Sequence, residues 1–290
     1  MRMRRRAGMM VLALALAFGL SWPAQAQLRV GLKFYGGYGY LLGGEGNEGN
    51  KGYLDAWAAE AHTYGGYSIS GGYKPFHYGL DAGGDLIIYF TPNIGVGLGG
   101  GYLQSSSSST INLTKPGDSA NLSTKPKVSA IPIRASLYIS LPMGASANLV
   151  LQGGAGYYLA KYEDIFRIEE GPDWVQFDNE ADGKGIGFHG GLGFELNFGP
   201  NFGLVLEGLA RYAVISGFEG TVALSIATIG TVSTESGKLY FSKATDPALG
   251  TFSLIQISDT APSGPSISNV HEAKIDFSGF AARAGFIFRF

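Results

Sequence analysis

The sequence predicts an all-β fold, a transmembrane antiparallel up-and-down β-barrel of eight strands, on three observations. The final residues, Arg283-Ala284-Gly285-Phe286-Ile287-Phe288-Arg289-Phe290, place an aromatic ring at every second position. Successive side chains of a strand point to opposite faces, so the three Phe share one face, and such a face suits lipid better than water. Seven earlier segments repeat this alternation of large apolar residues with small or polar ones. The connections between the eight alternate between short and long, as in a barrel with tight turns at one membrane surface and extended loops at the other.

The first 26 residues are set apart from this fold. Arg2, Arg4, Arg5 and Arg6 form a basic start, residues 9–20 form an apolar run, and Ser21-Trp22-Pro23 ends it before a small-residue cleavage site, Ala24-Gln25-Ala26. That order is a secretory signal, and the run is short for a bilayer-spanning helix. An uncleaved anchor is the alternative. The barrel is then expected to occupy 27–290.

The first strand, 28–40, sets Leu28, Val30, Leu32, Phe34, Tyr38 and Tyr40 against Arg29, Gly31, Lys33, Tyr35 and Gly37. The second, 78–90, sets Leu80, Leu86, Ile88 and Phe90 against Asp81, Gly83, Asp85 and Tyr89. In the third, 94–104, Ile94, Val96, Leu98 and Tyr102 face away from four glycines. The fourth, 129–141, opposes Ile131, Ile133, Leu137 and Ile139 to Arg134, Ser136 and Tyr138. The fifth, 147–159, opposes Leu149, Leu151, Tyr157 and Leu159 to Asn148, Gln152 and Gly156. The sixth, 185–198, carries Ile186, Phe188, Leu192, Phe194, Leu196 and Phe198 outward and His189 and Glu195 inward. The seventh, 202–212, carries Phe202, Leu204, Leu206 and Tyr212 outward and Glu207 and Arg211 inward. The eighth is 277–290. Outward rings such as Tyr38, Tyr102, Tyr157, Phe198, Phe202 and Phe290 are expected to form two interfacial girdles.

The short connections are 91–93, 142–146 and 199–201. The long ones, 41–77, 105–128, 160–184 and 213–276, are expected outside the cell. Residues 55–61 look helical within the first. Residues 105–110 are a low-complexity stretch expected to be mobile. Within 213–276, residues 221–230, 238–242 and 252–258 also read as strands. A ten-stranded barrel is therefore the alternative, but these runs are rich in Ser and Thr and poor in outward aromatics. Pro132 lacks the N–H that a ladder needs, so it is expected near the extracellular rim. A soluble barrel would need an apolar interior and a polar wall, the reverse of this pattern.

Composition narrows the function. The chain holds 21 basic and 23 acidic residues, and the four arginines of the signal leave the rest distinctly acidic, against a nucleic-acid partner. There is no cysteine, as suits an exported protein that does without disulfides. Glycine, 46 of 290 residues, follows no three-residue period, which excludes collagen. No stretch after residue 26 has the ~20 apolar residues of a membrane-spanning helix.

With signal, strands and aromatic end together, the chain resembles the small outer-membrane β-barrel family that includes OmpX and the OmpA membrane domain. The resemblance covers 27–290, mostly as pattern, and this chain departs from OmpX in its much longer loops. It implies insertion into the outer membrane of a Gram-negative-type bacterium by the barrel-assembly machinery. The family's C-terminal assembly signal is polar, any, Gly, any, any, aromatic, any, aromatic, and Arg283, Gly285, Phe288 and Phe290 match it. Implied surroundings are outer-membrane lipid and lipopolysaccharide, and a monomer is expected.

The inward face holds Lys33, Asp81, Asp85, Arg134, Glu195, Glu207, Arg211 and Arg283. An eight-stranded barrel is just wide enough for side chains to fill, so these should pair as a plug. Glu195, Glu207 and Asp85 lie similar distances from periplasmic turns and are expected level with Lys33 and Arg134. A gated path for ions or small solutes is the alternative. The four histidines, His62, His77, His189 and His271, stand in no pair like those of barrel lipases or proteases, and no cofactor or metal spacing occurs. The acidic stretch 160–184 lacks EF-hand spacing and is expected to be a solvated loop. The expected role is structural or surface-interacting and non-catalytic, with a narrow porin-like channel second and a barrel enzyme acting on lipid or peptide third.

Overall fold

The computed structural model describes residues 28–290, so the signal expected over 1–26 lies outside the described residues. In chain order the elements are β1 (Arg29–Gly44), α1 (Glu45–Gly65), β2 (Ser68–Gly72), β3 (Tyr78–Tyr89), β4 (Ile94–Ser106), β5 (Ser109–Lys115), β6 (Asp118–Thr124), β7 (Lys127–Pro142) and β8 (Ala147–Glu170). They continue with β9 (Asp173–Asn197), β10 (Phe202–Tyr212), β11 (Val214–Ile215), β12 (Glu219–Ile226), β13 (Gly230–Asp246), β14 (Gly250–Ser258), β15 (Ile267–Glu272) and β16 (Ile275–Arg289).

Eight of these strands pair antiparallel into a closed ring, in the order β1-β3-β4-β7-β8-β9-β10-β16 and back to β1. They are the eight read from alternation. The first and last strands seal the ring through a register running from Gly31 opposite Arg289 to Gly44 opposite Ile275. The outer wall is apolar and exposed, with Phe34, Leu98, Ile133, Ile186, Leu206 and Phe286 among its residues. An apolar face of this kind has its partner in hydrocarbon.

β8 and β9 run well past the other strands of the ring. They pair without interruption from Ala147 opposite Leu196 up to Glu170 opposite Asp173. Residues 160–184 are thus the upper half of a hairpin, not a solvated loop. Along β8 the two faces exchange character near Leu159. Below it, Leu151, Tyr157 and Leu159 face outward and are exposed; above it, Tyr162, Asp164 and Phe166 face inward and are buried.

This upper half carries a second storey on the long-loop side of the ring. β6 pairs with β8 and β12 with β9, so β2-β5-β6-β8-β9-β12-β13-β14 form one curved sheet above the ring. The run 221–230 spans most of β12 and the turn into β13, 238–242 lies in β13 and 252–258 in β14, and none of them joins the ring. Residues 105–106 end β4 and residues 109–110 begin β5. Ser105 and Ser109 are buried; Ser105 Oγ donates to the Tyr78 carbonyl at 2.9 Å, and Lys74 N–H donates to Ser109 Oγ at 2.8 Å.

α1 is longer than the expected 55–61 and closes the open side of this sheet, packing against β14 on one side and β5 and β6 on the other. Its glycines permit the approach: a Cβ on Gly52 would fall 2.0 Å from the Ser253 carbonyl oxygen. Leu54 and Ala58 pack with Ile111, Leu113, Leu122 and Phe166. Pro132 lies in the half of β7 toward the long loops. Its missing N–H coincides with a gap in the β4–β7 ladder, between Gly100 opposite Ile133 and Leu103 opposite Ala130.

Candidate functional site: the charge network in the lumen

Strand periodicity sends every second residue of the ring inward, and Lys33, Asp81, Asp85, Arg134, Glu195, Glu207, Arg211 and Arg283 are all buried there, none more than 8% exposed. Seven of the eight join one chain of ion pairs. Arg134 Nη2 lies 3.0 Å from Asp85 Oδ1, and Asp85 Oδ2 lies 3.0 Å from Lys33 Nζ. Lys33 continues to Glu207 Oε2 at 3.1 Å, and Arg283 takes the other Glu207 oxygen at 3.3 Å. Arg283 and Arg211 then share Asp81, at 2.8 and 2.9 Å.

Neutral partners complete this network. Tyr138 OH donates to Asp85 at 2.9 Å, Gln152 Nε2 donates to Glu207 at 3.1 Å, and Arg134 donates to Tyr35 OH. The Arg283 guanidinium lies 4.4 Å from the Tyr35 ring centroid, within cation–π range. Periodicity placed Tyr35, Tyr138 and Gln152 inward, but nothing in their spacing marked them as bridges. Charges held this far from water are tolerated because each meets an opposite charge and further hydrogen bonds.

Glu195 departs from expectation. It pairs with Arg289 and accepts a hydrogen bond from Asn148 Nδ2 at 3.2 Å, apart from Lys33 and Arg134. Barrel strands are tilted and staggered, so equal distance from a turn does not mean equal height. His189 Nε2 lies 2.8 Å from Ser136 Oγ, while its Nδ1 meets no hydrogen-bond partner among the described residues. Above the charges the interior turns apolar, with Leu41, Phe76, Leu103, Tyr158, Ile215, Phe218 and Phe277 in one buried cluster.

The matched residues of the assembly pattern separate by face. Phe288 and Phe290 are exposed on the outer wall, Arg283 sits in the network, and Gly285 is buried where a Cβ would fall 2.0 Å from the Phe34 carbonyl oxygen. Gly285 therefore has a packing reason of its own.

One buried acid in the upper storey escaped the sequence reading. Asp164 accepts a hydrogen bond from Thr124 Oγ1 at 2.7 Å, and burial pushes its carboxyl up to about 7. Nearby, Tyr162 OH donates to Asn50 Oδ1 of α1 at 2.9 Å.

A family model described as "Outer membrane protein beta-barrel domain" matches residues 10–223. No curated protein matches the chain. Among solved structures, the outer membrane protein OprG from Pseudomonas aeruginosa is 11% identical at a TM-score of 0.35, covering 92% of this chain and 97% of its own. The outer membrane protease OmpT from Escherichia coli is 12% identical at a TM-score of 0.34, covering 93% and 99%.

Proposed function

The chain belongs to the outer membrane protein beta-barrel domain family, and from that premise we propose that it is a structural and surface-interaction protein whose lumen is plugged. The observation that carries this reading is the unbroken run of ion pairs from Arg134 to Arg211, with the apolar cluster stacked above it. A solute entering the lumen would have to part buried charges and then displace packed side chains. Both are costly.

In this reading the barrel is a pedestal, and the sheet with α1 is the part that meets partners outside the cell. The protein works as a monomer without cofactor or catalytic step. The final strand, through Arg283, Gly285, Phe288 and Phe290, serves its handling by the assembly machinery. Planar-bilayer recording on the purified barrel tests the plug. The expected record is a quiet baseline. Steady single-channel steps that disappear in Glu207→Gln would overturn the plug and establish a narrow channel.

A further inference from the structure

The end of the ring that carries the short turns holds a small pocket, below the charge network. The turns around it, residues 91–93, 142–146 and 199–201, contain no charged side chain. The cavity measures about 220 Å³ and draws Arg29 from β1, Asn148 from β8, Asn197 from β9 and Arg289 from β16. That is room for about seven water molecules. Outer-membrane barrels turn this end toward the periplasm.

The acceptors of the pocket are already engaged. Arg289 pairs with one Glu195 oxygen and donates to Asn197 Oδ1 at 3.0 Å, while Asn148 Nδ2 donates to the other Glu195 oxygen at 3.2 Å. The groups left facing the cavity are donors. They are the Arg29 guanidinium, Asn197 Nδ2 and the Ser140 hydroxyl, none with a partner among the described residues. Arg29 stands opposite Tyr89 in register, on the inward face of β1, and is exposed. The Phe290 main chain is occupied by the ladder, exchanging hydrogen bonds with Val30 at 3.2 and 2.9 Å.

We propose that this pocket captures the terminal carboxylate of a peptide chain that ends in a small residue such as alanine. Two guanidiniums meet one carboxylate here, so the pocket keeps a single positive charge, on Arg29. One carboxylate answers that charge; a doubly charged phosphate monoester exceeds it. The planar fork of an arginine grips both oxygens of a carboxylate, and Asn197 Nδ2 adds a further donor. Convergent donors of this kind are a recurring way to hold a chain end. Pro92, Ala145 and Pro200 complete the wall. They bring no long side chain, and the prolines bring no N–H, so the space beside the carboxylate suits a methyl group. The proposal is independent of whether the lumen conducts.

The test is a titration of N-acetyl-alanyl-alanine against the purified full barrel in detergent, read by saturation-transfer NMR. The L,L form stands for a protein tail and the D,D form for a cell-wall peptide, and binding of either supports the site. A contact this small should give a Kd on the order of 1 mM. The C-terminal amide and inorganic phosphate should each bind about tenfold more weakly, and Arg29→Gln should weaken the dipeptide by a similar factor. Arg29→Lys should keep part of the affinity. No signal from either dipeptide, equal binding of the amide or of phosphate, or unchanged affinity in Arg29→Gln would overturn the proposal. Heat-modifiable migration checks that each variant is folded. Should Arg29→Gln fail to fold, the comparison of acid with amide on the wild type decides. Bilayer recording on the same samples tests the plug separately.

Discussion

Asp81 is a single carboxylate that balances two buried guanidiniums, Arg211 and Arg283. Asp81→Asn leaves both without their full counter-charge and should destabilise the barrel by about 3–5 kcal/mol, the usual cost of breaking a buried pair. Urea unfolding in micelles reads this directly. Glu195→Gln should cost less, since its partner Arg289 keeps some access to water. Asp164 gives a pH dependence of definite sign. Its folded value, about 7, lies above the ordinary 3.8, so the folded storey holds the proton more tightly than the unfolded one. Stability from this group is fully present below about pH 4 and is lost as pH rises through 7. After residue 26 both tryptophans, Trp57 and Trp174, belong to the upper storey, so their fluorescence during urea titration reports on it. The midpoint should fall between pH 5 and pH 8, and Asp164→Asn should remove the fall. The eight lumen charges were legible because a period of two sorts every residue of a strand. Asp164 was not, because it sits among exposed acids that together look like a solvated loop.

At the level of elements, α1 shows where local reading fails. Gly46, Gly49 and Gly52 lower its helical propensity by about 1 kcal/mol each, so the pattern suggests a helix only over 55–61. The observed helix, Glu45–Gly65, is held by the surface it packs on, and it ends at Gly66 in a left-handed conformation with φ 68°. Gly52→Val should prise α1 from β14 while the ring stays closed. Limited proteolysis should then cut within 45–65, with heat-modifiable migration unchanged. β8 and β9 show the complementary failure. Their lower halves obey apolar-out alternation and were read to within a residue or two. Their upper halves carry Lys161, Glu163 and Arg167 outward, and a search tuned to lipid stops there.

For the whole molecule, ring and storey are joined by few strands but built on opposite rules. The ring closes with eight strands, and β12, β13 and β14 add to the storey without widening it. Replacing residues 219–272 with a short flexible linker should therefore leave a heat-modifiable barrel, while α1, having lost β14, becomes open to protease. A ten-stranded barrel would not survive that excision. The strand count was legible because outward aromatics weight the eight spanning segments. The storey's pairing was not, since it depends on which strand edges remain free above the ring.

The exchange of faces along β8 also sets how deep the molecule sits. Leu159 and Ile131 share a row with Lys184, and Lys161 stands in the row above. Sinking the barrel by one row, about 5 Å along the membrane normal for tilted strands, would draw ammonium groups into hydrocarbon, and lifting it would strand the leucine and isoleucine in water. The wall therefore carries its own waterline. Whatever the loops contact is met at a constant height above the bilayer, and a partner tethered to the same membrane can rely on that distance.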